Sequence, residues 1–422
     1  MQRLTGKDYL LGIQHLFAMF GATVLVPLLT GLSPAVALVT AGVGTLIFHC
    51  CTKFKVPVFL GSSFAFIAPI SMIVNDMGIP YAQGGIMAAG LVYLLFALIA
   101  YVVGVDRIKK IFPPVVTGPV IVVIGIGLSG TAINDALNNI DVSAGMTSDA
   151  WLCLAIAAFT LAVVIACMIF AKGFFKLVPI LIGIASGYVL CVILDLFGIF
   201  HMDYSAITNA SIINIPYVTE GFFSLPKFSW TAILTIAPVA LVTFMEHIGD
   251  ITTNGAVVGK NFFADPGLHR TLLGDGLATF AAGFFGGPSN TTYSENTGVL
   301  ATTKNYNPAL LRLTAIFAII FGFVGVLGGI LETIPGPVKG GVEIMLFGMI
   351  ASIGIRTLVE AKLDFTHSRN LAIVALILTT GLGFNAIGGL VFTIGSVTLS
   401  LSGLFIATVV GVIMNLILPE NV

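Results

Sequence analysis

The stretch GPSNTTYSENTG, residues 287–298, decides how this chain folds. It holds small, polar and turn-forming residues around one carboxylate, Glu295, and it lies between two long apolar runs. A second stretch of this kind, VPVFLGSSFAFIAP at residues 56–69, lies in the first half of the chain. Glycine, proline and polar residues at these positions argue against a continuous transmembrane helix. Both stretches contain a short alternating piece, Ser63–Phe66 and Thr291–Glu295, which predicts an extended strand followed by a half-helix.

The composition is that of a chain whose main solvent is lipid. Of the 422 residues, 57% are hydrophobic and only 9% are charged, whereas about a quarter of the residues of a soluble domain are charged. The net charge of −1 gives no attraction for polyanions, so no nucleic-acid partner is expected. The five cysteines lie in apolar runs without metal-ligand spacing, and we expect neither a metal nor a cofactor. The apolar run after MQRLTGKDY has no small-residue cleavage site and is interpreted as a retained span.

The apolar runs predict fourteen membrane crossings, because a helix needs about 20 residues to span the hydrocarbon core. The candidate spans are 10–30, 35–52, 57–76, 81–104, 113–133, 150–171, 175–199, 228–254, 268–287, 290–303, 308–333, 338–357, 370–385 and 388–418. The third and the tenth contain the two interrupted stretches and are the weakest of the set.

The distribution of lysine and arginine favours this count. When the N-terminus is placed in the cytoplasm, all but two of the 18 basic residues lie on the cytoplasmic side, in loops or at the ends of spans, and the exceptions are Lys227 and Lys339. Removing either interrupted span would invert every later loop and destroy this bias, which is the usual orientation signal of membrane proteins. The sequence therefore predicts a multi-pass protein of the cytoplasmic (inner) membrane with both termini in the cytoplasm.

The fourteen spans divide into two groups of seven. A polar connection at residues 200–227, predicted to be extracytoplasmic, separates residues 1–199 from residues 228–422. An odd number of spans places the second half in the opposite orientation, and each interrupted span is the third of its half, which is typical of transporters built from inverted repeats. Two half-helices that begin near the middle of the membrane would direct free N–H groups toward one small volume. The alternative is that both stretches are long loops on opposite faces of the membrane.

Ionisable residues inside spans are costly and are the first candidates for function. In the eighth span, Glu246 and Asp250 are four residues apart and share one face of the helix. Asp275 lies in the ninth span, and Glu295 opens the half-helix of the tenth. A buried carboxyl group with no cation nearby favours its protonated form, which is the chemistry expected of a proton-coupled carrier.

Simpler interpretations exist for several polar residues. His15 in the first span is typical of a hydrogen-bonded core residue, Glu343 in the twelfth span could face a vestibule, and Asp275 could stabilise helix packing. The tetrapeptide GLSG, residues 127–130, matches a motif of intramembrane serine hydrolases around Ser129. Such short matches are common in a chain with 48 glycines.

Six longer motifs carry more information because they occur in a fixed order along nearly the whole chain. They are QHLFAMFGATVLVP (14–27), GSSFAFIAP (61–69), FPPVVTG (112–118), MEHIGD (245–250), DPGLHR (265–270) and NTTYSENTGVLATTK (290–304). Together they resemble the nucleobase–ascorbate transporter family, and most of all its bacterial uracil:proton symporters. The resemblance implies an all-α polytopic fold of fourteen segments with short β-strands in segments 3 and 10. It also implies a core domain of segments 1–4 and 8–11, a gate domain of segments 5–7 and 12–14, and a homodimer.

The resemblance further implies roles for individual residues. The implied substrate contacts are Glu246, Glu295, Phe66, Ala65, Tyr293, Ser294 and Phe347. The implied proton-coupling residues are Glu246, Asp250 and Asp275, and the implied supporting residues are His15, Gln14 and Asn296. A pyrimidinedione alternates N–H donors and carbonyl acceptors around a flat ring, which carboxylates, half-helix N–H groups and aromatic faces would match.

Some positions depart from the uracil symporters that the chain resembles. Those symporters carry a histidine where this chain has Asp250 and a non-acidic residue where it has Asp275, and both acids are similar to the xanthine branch. Glu295 is similar to the uracil branch, and Phe347 replaces a frequent tyrosine. We therefore expect a proton-coupled uracil importer rather than an enzyme, with a xanthine or urate carrier as the alternative. A hydrolase using Ser129 and a passive channel are further alternatives.

Overall fold

The chain folds as a mostly helical, multi-pass membrane-type protein. The computed structural model describes residues 6–143, 145–213, 224–394 and 397–419, so part of the predicted connection at 200–227 lies outside the described residues. Within the described ranges, nine helices are long and apolar enough to cross a membrane, and three shorter apolar helices accompany them. Helix length and composition alone therefore account for fewer crossings than the fourteen expected, because several expected spans are interrupted.

The described part of the chain contains long helices, short helices and four short strands. The helices are α1 (Gly6–Thr30), α2 (Pro34–Cys51), α3 (Ile67–Met77), α4 (Ile79–Val103), α5 (Val105–Ile111), α6 (Pro114–Gly127), α7 (Ser129–Ala136), α8 (Ser148–Phe170), α9 (Pro179–Leu196), α10 (Ser205–Thr208), α11 (Trp230–Ile236), α12 (Ala240–Val258), α13 (Leu268–Phe284), α14 (Ser294–Thr303), α15 (Pro308–Gly322), α16 (Gly325–Glu332), α17 (Gly336–Glu360), α18 (Ser368–Ala386) and α19 (Gly403–Ile417). The strands are β1 (Leu60–Ser62), β2 (Asn290–Thr292), β3 (Leu390–Ile394) and β4 (Val397–Leu401).

Three expected spans are helices with a break. Span 113–133 consists of α6 and α7, which meet at Leu128, and span 308–333 consists of α15 and α16. Span 228–254 consists of α11 and the first part of α12, and the 3-10 turn between them contains Pro238. Proline lacks a backbone N–H and cannot continue regular helical hydrogen bonding. The hydropathy of the sequence gives no indication of these breaks.

The last expected span, 388–418, is wrong as a single helix. Its first part forms an antiparallel hairpin of β3 and β4, in which Leu390 pairs with Leu401, and only its second part is helical as α19. Gly388 and Gly389 have φ angles of 80° and 91°. Residues with side chains rarely adopt these angles, so the two glycines allow the chain to leave α18 and enter the hairpin.

The two interrupted stretches meet as a two-stranded antiparallel sheet of β1 and β2. Two further backbone bonds extend the ladder, from the N–H of Ser63 to the carbonyl of Ser289 at 2.8 Å and from the N–H of Tyr293 to the carbonyl of Phe59 at 3.0 Å. All residues of both strands are buried. Each stretch therefore satisfies backbone groups of the other, which unpaired backbone at membrane depth requires.

The strand in the first stretch lies earlier than the sequence pattern predicts. Of the alternating piece Ser63–Phe66, the last three residues form a 3-10 turn that leads into α3, and the strand is Leu60–Ser62. In the second stretch the strand is Asn290–Thr292, and Ser294 and Glu295 already belong to α14. Alternation locates a strand when one face is exposed, and here both faces are buried.

Polar side chains from two helices hold this sheet in place. The hydroxyl of Thr45 on α2 accepts from the N–H of Leu60 at 2.9 Å, and the hydroxyl of Thr279 on α13 donates to the carbonyl of Asn290 at 3.0 Å. The side-chain amide of Asn290 donates to the carbonyl of Thr40 on α2 at 3.1 Å. The sheet is therefore fixed between α2 and α13, so both half-helices start from defined positions.

An exposed ion pair joins two connections outside the spans. The Nζ of Lys55, after α2, lies 2.6 Å from both carboxylate oxygens of Asp265, which precedes α13. This hydrogen bond holds the pKa of Asp265 below its ordinary value. Because both side chains are largely exposed, solvent screens the pair, and it contributes little to stability.

Glycines let α4 and α13 pack with their backbones in contact. A Cβ atom at Gly90 would lie 2.7 Å from the backbone nitrogen of Phe280 and 2.9 Å from the carbonyl oxygen of Gly276. Close approach through small residues is typical of helices in membranes, where van der Waals packing drives association. This contact fixes the position of α13 relative to α4, and α13 carries Asp275.

Replacing Gly90 with alanine tests this packing. We expect the added Cβ to separate α4 from α13 and to destabilise the fold by about 1–3 kcal/mol, measured as a lower melting temperature of the purified protein in detergent. The matched control is Gly383→Ala, also within a helix but with no atom within 4 Å of the new Cβ. The control should be unchanged or slightly more stable. Equal melting temperatures for both variants would contradict the packing argument.

Candidate functional site

Helix α12 carries two carboxyl groups on one face. Glu246 and Asp250 are one turn apart, and both are partly exposed within a largely buried part of the helix. The hydroxyl of Thr292, the last residue of β2, donates to Oδ2 of Asp250 at 2.9 Å. Within the described residues, Oε2 of Glu246 has no hydrogen-bond partner. Asp250 is thus held by the sheet, whereas Glu246 is free to take a proton or a ligand.

The first turn of α14 adds a third carboxyl group. Glu295 is the second residue of the helix, which begins at Ser294 soon after β2, and both residues are partly exposed. The first N–H groups of a helix have no partner within it, and the positive end of its dipole favours negative charge. Glu295 interacts electrostatically with Glu246, and Asp250 interacts with both. The fold therefore brings together three acids that come from two separate spans.

A fully buried pair lies beside these groups. Nδ1 of His247 on α12 lies 2.7 Å from Oδ2 of Asp275 on α13, and neither side chain is exposed. Nε2 of His247 lies 2.9 Å from the hydroxyl of Thr271, and that hydroxyl donates its own proton to the carbonyl of Leu268 at 2.9 Å. Nε2 must therefore carry a hydrogen.

The tautomer of His247 determines the charge of this pair. With a hydrogen already on Nε2, the short contact between Nδ1 and Asp275 is favourable only if it contains one further proton, on the ring or on the carboxyl group. Both forms of the pair are neutral overall. Asp275 therefore has a nearby partner for its charge, unlike Glu246. Sequence reasoning missed His247, because on its own helix it points about 100° away from Glu246.

Aromatic and small residues surround the half-helix starts. Tyr293 is buried, and its hydroxyl donates to the carbonyl of Ser62 at 2.9 Å. Its ring packs on Gly61, where a Cβ atom would overlap the ring carbons. Ala65 and Phe66 lie in the 3-10 turn before α3 and are also buried. The strand pairing thus places residues of both stretches next to each other.

Phe347 reaches this region from α17. Its ring packs edge to face on Phe64, with the ring centroids 6.0 Å apart and the planes at 77°. Phe64 was not among the predicted residues, although it belongs to the same motif as Phe66. Phe347 also lines a cavity of about 170 Å³ together with Ser129, which is exposed at the start of α7.

Asn296 ties the second half-helix to α1. Its side-chain amide donates to the backbone carbonyl of His15 at 3.0 Å and lies 3.2 Å from Nδ1 of the same residue. His15 and Asn296 are fully buried, and the adjacent Gln14 is partly exposed. The bond gives both buried residues a polar partner. It also ties the first turn of α14, which contains Glu295, to α1.

The arrangement has the chemistry needed to bind a flat polar ring. Partly exposed carboxyl groups accept hydrogen bonds, N–H groups at the start of α14 donate them, and buried aromatic rings provide apolar faces. In the described ranges, no group of three or more His, Cys, Asp and Glu side chains is arranged to hold a metal ion. Glu343 lies outside this group and is buried beside Asp135.

Comparison with known proteins gives a consistent result. A model described as Permease family, with the short name Xan_ur_permease, matches residues 6–389. The chain is 44% identical over 414 residues to a probable uracil permease of Pasteurella multocida, covering 98% of this chain and 94% of the relative. It is 44% identical to a uracil permease of Bacillus caldolyticus, covering 98% and 92%. It is 39% identical to a uracil permease of Escherichia coli K12, covering 96% and 90%.

Solved structures show where else this fold occurs. The transmembrane domain of the cyanobacterial bicarbonate transporter BicA is similar with a TM-score of 0.63 at 13% identity, covering 97% of each chain. SLC26A9 is similar with a TM-score of 0.70 at 12% identity, covering 97% of this chain and 64% of that one. At such identities the similarity shows the fold alone.

Substitutions at His247 and Asp275 test their pairing. Removing one partner, as in His247→Leu or Asp275→Leu, leaves the other buried and unpaired, and we expect each to cost about 3–5 kcal/mol of stability. Asp275→Asn should be tolerated, because its amide can donate to Nδ1. The double leucine variant should lose much less than the two single losses combined. Thermal unfolding in detergent measures all four variants, and additive losses would show that the residues do not act as a pair.

Proposed function

The chain belongs to the permease family of nucleobase–ascorbate transporters, and from this premise we propose that it is a symporter that imports uracil together with a proton. The substrate is inferred from relatives named uracil permeases at 39–44% identity over nearly the whole chain. The observation that carries the mechanism is the meeting of Glu246 and Glu295 beside a buried strand pair. These relatives are permeases, so we set the Ser129 hydrolase aside.

The proposed architecture is that of fourteen spans in two inverted groups of seven, residues 1–199 and 228–422. In it, spans 1–4 and 8–11 form a core that moves against a gate of spans 5–7 and 12–14. The basic residues support an orientation with both termini in the cytoplasm of a cell whose inner membrane holds the protein. Like the family in general, it would work as a homodimer.

Each proposed contact residue interacts with one part of the uracil ring. Glu246 and Glu295 accept from the ring N–H groups, and the backbone N–H groups near Phe66 and Ser294 donate to the ring carbonyls. Ala65 lies beside Phe66 in the turn, Tyr293 and Phe66 contact the ring faces, and Phe347 closes the site from the gate. Gln14, His15 and Asn296 support α14 from α1. A base that leaves any of these buried polar groups unmatched would bind less well.

Glu246 is the best candidate for the coupling proton. It has no helix dipole to favour its charge, whereas Glu295 lies in the first turn of α14. Asp250 is bonded to Thr292 and modulates Glu246 through its charge, and Asp275 contributes through the proton that it shares with His247. One proton moving across 100 mV releases about 2.3 kcal/mol, which corresponds to a concentration ratio of about fifty.

A purine carrier for xanthine or urate is the second candidate. It is favoured by Asp250 and Asp275, the two acids that depart from the uracil branch. The pairing of Asp275 with His247 weakens this candidate, because an acid that is already bonded is not free to select a purine.

Glu246→Gln tests proton coupling. Glutamine keeps an acceptor oxygen but cannot take a proton, so we expect uracil exchange between the two sides of vesicles to continue while accumulation is lost. Apparent affinity should fall by about ten- to a hundredfold, the value of a hydrogen bond to a charged group. Glu360→Gln is the matched control, because that residue is exposed and pairs with Arg356. Full accumulation by the Glu246 variant would refute its coupling role.

Substrate competition separates the two candidates. In energised vesicles, we expect uptake of labelled uracil to saturate, to collapse on addition of a protonophore and to persist in a large excess of unlabelled xanthine, because Glu295 is the residue in which the chain is similar to the uracil branch. Inhibition by xanthine would favour the purine carrier. Uptake that neither saturates nor responds to the protonophore would indicate a channel.

A further inference from the structure

A second group of buried acids lies between α7 and α17. Asp135 on α7 is 9% exposed, and Glu343 on α17 is fully buried. The two carboxyl groups are side-chain hydrogen-bonding partners, and Asn139 is a further partner of Asp135. Both oxygens of Glu343 and Oδ2 of Asp135 have no other side-chain or backbone donor in the described part of the chain. Two ionised carboxylates are both acceptors, so this contact requires a proton.

Glycines hold the two helices together at this point. A Cβ atom at Gly340 would overlap the backbone of Ala136, and one at Gly336 would lie 3.1 Å from the carbonyl oxygen of Asp135. The backbones of α7 and α17 are therefore in contact in the turns that precede Glu343, next to Asp135. This packing leaves the carboxyl groups little freedom to move apart or to become hydrated.

Lys339 sets how many protons the pair can hold. It lies one turn before Glu343 on α17, is partly exposed, and interacts electrostatically with both acids. With one shared proton, the two carboxyl groups carry one negative charge, which Lys339 balances. Two ionised carboxylates would leave an unbalanced buried charge, and two protonated ones would leave Lys339 unmatched.

The other helices packed on α17 do not supply a competing partner. Helix α6 contains no titratable side chain. The titratable side chains of α8 and α9 are Asp149, Cys153, Cys167, Tyr188, Cys191 and Asp195. The hydroxyl of Tyr188 bonds to that of Thr333 at 2.9 Å, and Asp195 faces His201. The charges that act on Asp135 and Glu343 are therefore their own and that of Lys339.

We propose that Asp135 and Glu343 form a proton-binding dyad, which holds one proton between its two carboxyl groups and fastens α7 to α17. The ligand is the proton itself. A cavity of about 220 Å³, lined among others by Asn138 and Pro335, lies beside the neighbouring ends of these helices. The dyad uses none of the proposed substrate contacts, and it does not depend on the identity of the substrate.

The dyad connects proton binding to the helix that carries Phe347. Phe347 lies one turn after Glu343 on α17. When the proton leaves at high pH, two negative charges face one lysine, and the contact between α7 and α17 weakens. The fold is therefore most stable while the proton is bound, and this contribution is lost as the pH rises through the titration of the dyad.

Infrared spectroscopy of the purified protein in lipid detects the shared proton directly. We expect Asp135→Asn and Glu343→Gln each to remove the same protonated-carboxyl band, and the double variant to remove no more than either one. Glu360→Gln on the same helix should leave the band intact. Two separate bands that disappear one by one, or no change of spectrum, would overturn the proposal.

Thermal unfolding measured across pH provides an independent test. The wild-type protein should lose melting temperature at high pH, and the Asp135→Asn/Glu343→Gln double variant should lose this dependence, because two amides can still bond without a proton. Identical pH profiles for both proteins would overturn the dyad. Binding of labelled uracil should stay within about threefold of wild type, since the proposed contacts lie elsewhere. Absence of uracil binding in the wild type would contradict the proposed substrate and leave the dyad's test intact.

Discussion

The antiparallel pairing of β1 and β2 is the constraint on which the rest of this structure depends. Two chain segments that cannot be helical are buried in the interior of a membrane-type fold, where an unpaired N–H or carbonyl group costs several kcal/mol. Each segment is tolerable only because the other lies beside it and because Thr45 of α2 and Thr279 of α13 bond to the strands. The side-chain amide of Asn290 in β2 adds a bond to the backbone of α2. The two halves of the chain are therefore obliged to meet at this sheet. The sheet therefore fixes the positions of the groups close to it, including the starts of both half-helices and the carboxyl groups of Glu246 and Glu295.

Two ways of placing an acid in such an interior are seen side by side. Asp275 is matched by a histidine, and the pair is neutral whichever atom carries the proton. Glu246 has no cation among its interacting groups, which are other acids. An acid that has a partner for its charge has a structural role by default, whereas an acid without such a partner changes its charge when conditions change. The contacts of each acid therefore indicate whether it is a candidate for function, which composition cannot do. No assumption about the substrate is needed.

Much of this could be predicted from the sequence, and the failures have common causes. Hydropathy, the basic loops and the interrupted stretches 56–69 and 287–298 indicate a polytopic transporter, and the resemblance to the nucleobase–ascorbate family is confirmed by the match over residues 6–389. The strand of the first stretch was placed too late, because alternation carries no information where both faces are buried. The hairpin of β3 and β4 was missed, since its residues are as apolar as those of a span. His247 was missed because its partner lies on another helix, and no spacing within one helix can reveal such a contact.

The chain leaves β1 and β2 through segments of different chemistry. After β2 the chain enters α14 at once, with Glu295 in the first turn, where the helix dipole favours negative charge. After β1 the corresponding residues, Phe64–Phe66, form a 3-10 turn of apolar side chains that packs against Phe347. One half-helix therefore brings charge and the other brings aromatic surface. A ligand that fits between them needs a polar edge and an apolar face, and Glu246, which comes from neither half-helix and has no hydrogen-bond partner for Oε2 in the described residues, is left free to change its protonation state. The different ways in which the two segments leave the same sheet therefore place charge on one side of this region and aromatic surface on the other.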